Sequence, residues 1–541
     1  MTVPAFAGTG VLARLAFQRD RVMLAAWIYV ITALIAGNSW SLGKLYPTAA
    51  ARADLAASGG RNPALVFLYG RLAGDSLGAV SAWRYGVWAA IAAALMSIFL
   101  VVRHTRADEE AGRGELVGSA AVGRLAPLTA ALGVAVAASA VLTLLLFAAL
   151  AVLGLPAAGS ALFALAITTC GLAFAAVAAV TAQLAAGART ARGAAIGVLG
   201  AAYLLRAVGD AAGAGGPGWL SWLSPLGWTE LARPYTAGRW PVLALPLALT
   251  AVAVAAAYTL AVLRDHGAGL LPGRPGRATA SGPLRHLPAL GLAGRLQRGT
   301  LGGWAAGFAF TFAASGAAAK GIGSLLGGSA QLRTAFTRLG GQAGITDAYL
   351  AAIMSLAGLG AAAYATSAVL RLRAEESAGR AEPLLATAAG RIRWGLSHVV
   401  VAGAGSALLL AVAGVAAGLG YGLRTGSAGT EVARLLGAAL VQLPAALAVA
   451  GAAVALFGLA PRACVAGAWS VLGAVVVIAL FGQILRLSGW VTGISPFSHV
   501  PKLPGAAVTV RTTGAPLLWL GLAALALAAA GLAGLRRRDI S

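Results

Sequence analysis

Twelve apolar runs govern what this chain can become. They lie at about 22–41, 81–102, 126–153, 161–184, 193–209 and 241–263, and again at about 301–320, 348–370, 395–422, 433–458, 464–485 and 513–535. An α-helix crosses the hydrocarbon core of a bilayer in ~20 apolar residues. The expected fold is therefore an all-α polytopic membrane protein of about twelve transmembrane helices, in the plasma membrane. The first run begins only at residue 22, and no small-x-small cleavage site closes it. It reads as an uncleaved span and not as a secretory signal.

Composition agrees with this. Hydrophobic residues make up 59% and charged residues 10%, with a mean hydropathy of +0.84, whereas a soluble domain carries about 25% charged residues to solvate its surface. Disorder, a disulfide scaffold and a soluble enzyme are excluded on these values. The 74 glycines, set among abundant alanine, belong to helices that approach closely through small side chains. Cys170 and Cys464 both fall in or beside apolar runs, which leaves no cysteine-based metal or redox motif. The net charge of +24 is scattered between the runs, so it reads as a topological signal and not as a nucleic-acid footprint. With both termini cytoplasmic, the greater share of Lys and Arg falls on the cytoplasmic side, and Arg536, Arg537 and Arg538 support that orientation.

The stretch from Arg264 to Arg298 is the one long polar break, rich in Gly, Pro and Arg, and reads as a linker. It divides the chain into a first six-helix half (1–270), a cytoplasmic linker with a candidate interfacial helix (271–300) and a second six-helix half (301–541). The halves match. Arg106-Ala-Asp-Glu-Glu-Ala-Gly-Arg-Gly-Glu115 aligns without a gap on Arg373-Ala-Glu-Glu-Ser-Ala-Gly-Arg-Ala-Glu382, and the alignment continues to Gly123-Arg124 over Gly390-Arg391. Trp27 lies over Trp304, and Trp219 with Ser224-Pro225 over Trp490 with Ser495-Pro496. Landmarks in the same order point to a duplication. An even number of helices per copy implies parallel repeats about an axis along the membrane normal.

The charged loops after the second and eighth runs are the most informative segments. Asp108, Glu109, Glu110 and Glu115, or Glu375, Glu376 and Glu382, stand among Arg103, Arg106, Arg113 and Arg124, or Arg371, Arg373, Arg380, Arg391 and Arg393. Topological bias explains the arginines but not the acids. Glu109 with Arg113, and Glu376 with Arg380, are spaced i to i+4 with the acid first, which supports a short helix. A solvated loop needs no particular order of charges, yet this order recurs. Before each half, Leu12 and Leu15, or Leu292 and Leu296, form the apolar side of a candidate interfacial helix, although Arg19 falls on that side too.

On the opposite side, Trp219, Trp222, Ser224, Pro225 and Trp228 in the first half correspond to Trp490, Ser495, Pro496 and Phe497 in the second. Tryptophan favours the membrane boundary and Ser-Pro a turn, so from the residues alone they read as an aromatic belt with turns. Gly303 and Gly307, and Gly414, Gly418 and Gly422, have the spacing of close helix crossings. Phe308, Phe310 and Phe312, or Trp83 and Trp88, are candidate substrate contacts, with packing as the plainer reading. The three lysines, Lys44, Lys320 and Lys502, are not followed by Ser or Thr, so the chain holds no P-loop and any ATP must be hydrolysed elsewhere. Asp210, Glu230, Asp347 and Glu431 fall near helix ends or in loops, and no Asp, Glu or His stands at the centre of a run, which disfavours a proton relay.

The loop pattern R-x-x-E-x-x-x-R-x-E resembles that of the permease subunits of ABC type-2 exporters, above all the fused twelve-helix actinobacterial permeases of the polyketide-antibiotic exporter type. The similarity covers essentially the whole chain. It implies that Arg106, Asp108, Glu109, Gly112, Arg113 and Glu115, with Arg373, Glu375, Glu376, Gly379, Arg380 and Glu382, couple the chain to a separate ATPase present in two copies. That partner would hold the ATP and Mg, this chain having no cofactor of its own. Pro383 stands where the first copy has Leu116, a departure that ends the second coupling helix early or starts a new turn. The resemblance further implies an exit-side cap at Trp219, Ser224, Pro225, Trp228, Trp490, Ser495 and Pro496, and polyketide antibiotics as the exported compounds; a path without buried charge suits a lipophilic or amphiphilic substrate moved out of the cell. Three rivals stand beside it: a secondary multidrug transporter with two six-helix halves, a membrane enzyme acting on a lipid-linked substrate, and a non-transporting partner of the same ATPase.

Overall fold

Long apolar stretches without proline become long helices here. The computed structural model describes residues 4–60, 63–113, 121–211, 217–265, 267–271, 288–326, 341–387, 390–481, 488–505 and 514–538. The chain divides into two compact units, Met1–Gly276 and Arg277–Ser541. The first holds α1 (Thr9–Leu45), α2 (Leu77–Val102), α3 (Ala126–Val152), α4 (Ala157–Leu184), α5 (Ala188–Ala211) and α6 (Ala244–Leu263). The second holds α7 (Pro288–Leu326), α8 (Gly341–Ser377), α9 (Arg391–Thr425), α10 (Ala428–Leu459), α11 (Cys464–Phe481) and α12 (Ala515–Arg537). Among the described residues 10 helices are long and apolar enough to cross a membrane, and α7 and α11 occupy the two other expected runs. The protein is an all-α polytopic membrane protein.

Proline and glycine set the interruptions. Pro444 splits α10 into Ala428–Leu440 and Leu443–Leu459, because its ring removes an amide donor and crowds the carbonyl four residues back. Ser76 caps α2 by accepting from the Ala79 amide at 3.1 Å. No proline lies within α1, so its 37 residues continue from the charged segment straight into the span. At 1.5 Å per residue that is ~55 Å, well beyond the ~30 Å hydrocarbon core. The separate interfacial helix expected around Leu12 and Leu15 is thus the first part of α1, and the one around Leu292 and Leu296 is the first part of α7. Charges on one face do not stop a helix that has no other breaker.

Within the first unit α4 is central, touching α2, α3, α5 and α6, while α1 lies on α2 and α3. Within the second, α10 touches α8, α9, α11 and α12, and α7 lies on α8 and α9. The order of neighbours is the same in each. Small residues make the closest crossings: a Cβ on Gly414 would lie 2.6 Å from the Leu436 Cα, and one on Gly418 2.5 Å from the Val432 Cα. Gly422 meets Ala428 in the same row, so these three glycines seat α9 against the first part of α10. Gly303 and Gly307 do otherwise: nothing lies within 4 Å of a Cβ on either. The close crossing expected there is replaced by an open groove.

Candidate functional site

The two charged loops grow out of α2 and α8. After Val102 the first helix widens into a π turn, Arg103–Ala107, and closes with Asp108–Glu110. Gly112 then turns the chain with φ 71°, its amide bonded to the Glu109 carbonyl at 3.0 Å. α8 ends at Ser377, and Gly379 takes φ 67° with its amide on the Glu376 carbonyl at 3.0 Å. Nothing lies within 4 Å of a Cβ at either glycine. The left-handed backbone, and not crowding, is therefore what calls for glycine at both aligned positions.

These turns overrule the expected i to i+4 pairs. With the helix ended by Gly112 and Gly379, the acid and the arginine no longer stack on one face. Arg113 instead holds Asp108 at 2.6 and 2.9 Å, and Arg380 reaches the Ala374 carbonyl at 3.4 Å. Glu109 accepts from Arg106 at 2.7 Å and from both terminal nitrogens of Arg264, the residue that follows α6. Glu376 accepts from Arg373 at 3.1 Å and from Arg538, the residue that follows α12, at 2.8 and 3.1 Å. The carbonyl of each distal arginine is held in turn, Arg264 by Arg124 and Arg538 by Arg391 at 2.6 Å. One latch, built twice, ties the loop after the second helix of a unit to the end of its sixth.

The remaining predicted residues divide into anchored and exposed. Arg106 is buried and also donates to the carbonyls of Ala186 (2.5 Å), Gly267 (2.9 Å) and Ala268 (3.1 Å), so it binds three loops together. Asp108 also accepts from Arg19 at 2.9 Å, next to His104, which with Arg103 encloses the buried Asp20 at 2.7 and 2.8 Å. Glu110 receives the Ala188 amide at 3.0 Å and so caps α5. Glu375 is held by Arg371 at 3.0 Å and by His398 at 3.5 Å. Gly112, Arg113, Gly379, Arg380 and Glu382 are exposed. Pro383 sits in the first turn of a new helix, Ala381–Leu385, where a missing amide costs nothing. Glu115 and Leu116 lie outside the described residues.

Sequence reasoning missed Arg264, Arg538, Asp20 and His104. In the sequence Arg538 reads only as a topological charge. The signal available was positional, since each latch arginine directly follows the sixth helix of its half.

At the other end of each unit the aligned Ser-Pro pairs diverge. Ser224 accepts from the Gly227 amide at 3.2 Å, starting the helix Pro225–Leu231, and donates to the Ala202 carbonyl at 2.6 Å. Trp228 donates to the Trp222 carbonyl at 2.6 Å, and Trp219 is exposed. Ser495 is buried with no partner for its hydroxyl among the described residues; Pro496 opens a 3-10 turn and Trp490 is exposed. The first unit also buries Arg206, with Glu230 at 3.3 Å and Asp210 at 3.8 Å, a cluster that reading spans alone does not reveal. Burial pushes the Glu230 carboxyl well above the usual range, against the pull of Arg206 and with a further push from Asp210.

Phe308 and Phe312, ring centroids 5.3 Å apart, line the groove left by Gly303 and Gly307, a space of about 390 Å³. Phe310 is half-buried outside that lining. Trp83 is buried and donates to the Gly70 carbonyl at 2.8 Å, and Trp88 stacks near Tyr203 at 6.1 Å. No group of metal-binding side chains occurs among the described residues.

Two comparisons bear on this arrangement. Residues 288–536 match the family described as "Multidrug efflux system permease Rv1217c, C-terminal domain". Over 541 residues, covering 99% of this chain and 96% of the relative, the sequence is 43% identical to the multidrug efflux system permease protein Rv1217c of Mycobacterium tuberculosis (strain ATCC 25618 / H37Rv). The match thus runs through both units, loops included, and the chain belongs to the Rv1217c family of efflux-system permeases.

Proposed function

We propose that the chain is the permease subunit of an ATP-driven ABC exporter that moves lipophilic or amphiphilic compounds, polyketide antibiotics among them, out of the cell. ATP and Mg bind a separate ATPase chain, two copies of which seat on the loops at Asp108–Arg113 and Glu375–Glu382. The observation that carries this reading is a loop built twice on the same plan, its acids anchored inward and Arg113, Arg380 and Glu382 left exposed. Efflux of several drugs is what the name of the mycobacterial relative supports.

The buried Arg206, Asp210 and Glu230 favour a second reading, proton-driven export, because burial raises the proton affinity of the Glu230 carboxyl and a carboxyl so placed can carry a proton. That cluster stands at helix ends and its residues have no counterparts in the second half. The test is to reverse the exposed charges, Arg113→Glu with Arg380→Glu, and follow ATPase copurification and drug efflux in cells. An exposed pair such as Arg113 with Asp108 is worth only ~0.2–1 kcal/mol, whereas a charge lost from a docked interface costs roughly 2–5 kcal/mol. Loss of both copurification and efflux, with an unchanged melting profile, is expected. Wild-type efflux in the double variant, or efflux that persists without ATP and collapses with a protonophore, would end the ATPase reading.

A further inference from the structure

The latch has a different neighbour in each unit. In the second, Trp394, His398, Phe457 and Leu535 pack beside it, each no more than 2% exposed, with the Arg538 guanidinium 4.6 Å from the Phe457 ring centroid. Continuing the gap-free alignment from Arg124 over Arg391 places Pro127 and Ala131 under Trp394 and His398. Counting back three residues from Arg264 and Arg538 places Ala261 under Leu535, and Gln183 and Phe457 each stand within two residues of the end of the fourth helix of their unit, α4 and α10. The last pair is supported by contact, since Arg264 donates to Gln183 at 2.6 Å where Arg538 faces Phe457. Four large side chains in one unit correspond to four smaller or polar ones in the other.

At that place the first unit has a cavity of about 630 Å³ between α1, α3, the ends of α4 and α6, and the charged loop after α2, within the size range of small-molecule sites. Its wall is apolar, formed by Leu12, Leu15, Pro127, Leu128 and Ala131. Its rim carries Arg19, Arg113, Arg124 and Arg264 against Asp108 and Glu109. Four guanidinium groups against two carboxylates leave a positive excess, and both carboxylates already accept from arginines. A cationic ligand would meet that excess with no free acid to receive it. The rim also stands where apolar spans end, the level at which headgroups lie and at which basic pockets between helices take anionic headgroups.

We infer that this cavity binds one anionic amphiphile, its phosphate or carboxylate on the arginine rim and its hydrocarbon chain against Leu12, Leu15 and Leu128. Among the described residues the second unit fills the equivalent place with its own side chains, so the site belongs to the first unit. This goes beyond the assignment of the loops to an ATPase and does not depend on it.

The purified full chain can be followed by native mass spectrometry in mild detergent with dioleoylphosphatidylglycerol, dioleoylphosphatidylcholine or dodecyl phosphate added. The expected result is one phosphatidylglycerol or one dodecyl phosphate retained per chain, at least ten-fold more strongly than phosphatidylcholine. Retention of the glycerolipid assigns the site to membrane lipid, and retention of dodecyl phosphate alone assigns it to a free amphiphile. Pro127→Trp with Ala131→His, which installs the second unit's residues, should abolish retention, and Ala131→Leu serves as a milder plug whose melting profile checks folding. Equal retention of the zwitterionic lipid, no retention of any anion, or unchanged retention in folded plug variants would overturn the inference.

Discussion

Glu109 and Glu376 each accept from an arginine three residues earlier and from another at the far end of the same unit. Their side chains are 14% and 1% exposed, so removing either leaves guanidinium groups without their counter-charge in a poorly hydrated place. Breaking a buried pair from one side costs roughly 3–5 kcal/mol. Glu109→Ala and Glu376→Ala should therefore lower the stability of the detergent-solubilised protein by about that amount in an SDS titration, while Arg113→Ala, on the exposed side, changes it by less than ~1 kcal/mol. Equal effects of the three substitutions would contradict the latch. The arginines and acids of the loops were legible because they recur in order, but their partners were not. Local spacing favoured Arg113 and Arg380, and only the fold brings Arg264 and Arg538 to the same carboxylates.

Elements were more legible than contacts. Within the described residues each of the twelve apolar runs falls on a helix, and ten helices are long and apolar enough to cross a membrane, because apolar length selects such segments. Their ends were not legible in the same way: α1 begins at Thr9 and α7 at Pro288, since charge on one face leaves the backbone free to continue. Glycine spacing was equally ambiguous. The same pattern marks a tight crossing at Gly414 and Gly418 and an open groove at Gly303 and Gly307, and only the neighbouring backbone separates the two. Gly418→Ala should accordingly destabilise the α9–α10 pair by roughly 1–3 kcal/mol, the range for overpacking, because the obstructing atom is the Val432 Cα and cannot swing aside. Gly303→Ala should leave the same SDS titration unchanged. A neutral Gly418→Ala would mean that these helices are less closely apposed than described.

At the scale of the whole molecule, six spans per unit is an expectation that predicts both charged loops on the side of the N-terminus and both tryptophan segments on the other. Cys170 and Cys464 are buried, so the wild-type chain offers a low labelling background. Gly112→Cys and Gly379→Cys should react with a membrane-impermeant maleimide only from the cytoplasmic side, and Trp219→Cys and Trp490→Cys only from outside. Opposite accessibility within either pair would rule out parallel halves. The duplicated loops and Ser-Pro landmarks are what carries this expectation in the sequence. The divergence between the units did not show there, because a cavity is made by several small residues far apart in the chain, such as Ala131, Gln183 and Ala261.

The latches also impose an order on biosynthesis. Glu109 and Arg264 are 155 residues apart, and Glu376 and Arg538 are 162. A ribosome adds about 5–20 residues per second, so each acid waits on the order of 8–30 s for its distal arginine. The first unit can close before most of the second has been translated. A nascent chain halted between Glu376 and Arg538 would carry one finished unit and one carboxylate without its distal arginine, a defect in the membrane that a protease or chaperone could distinguish from the completed protein.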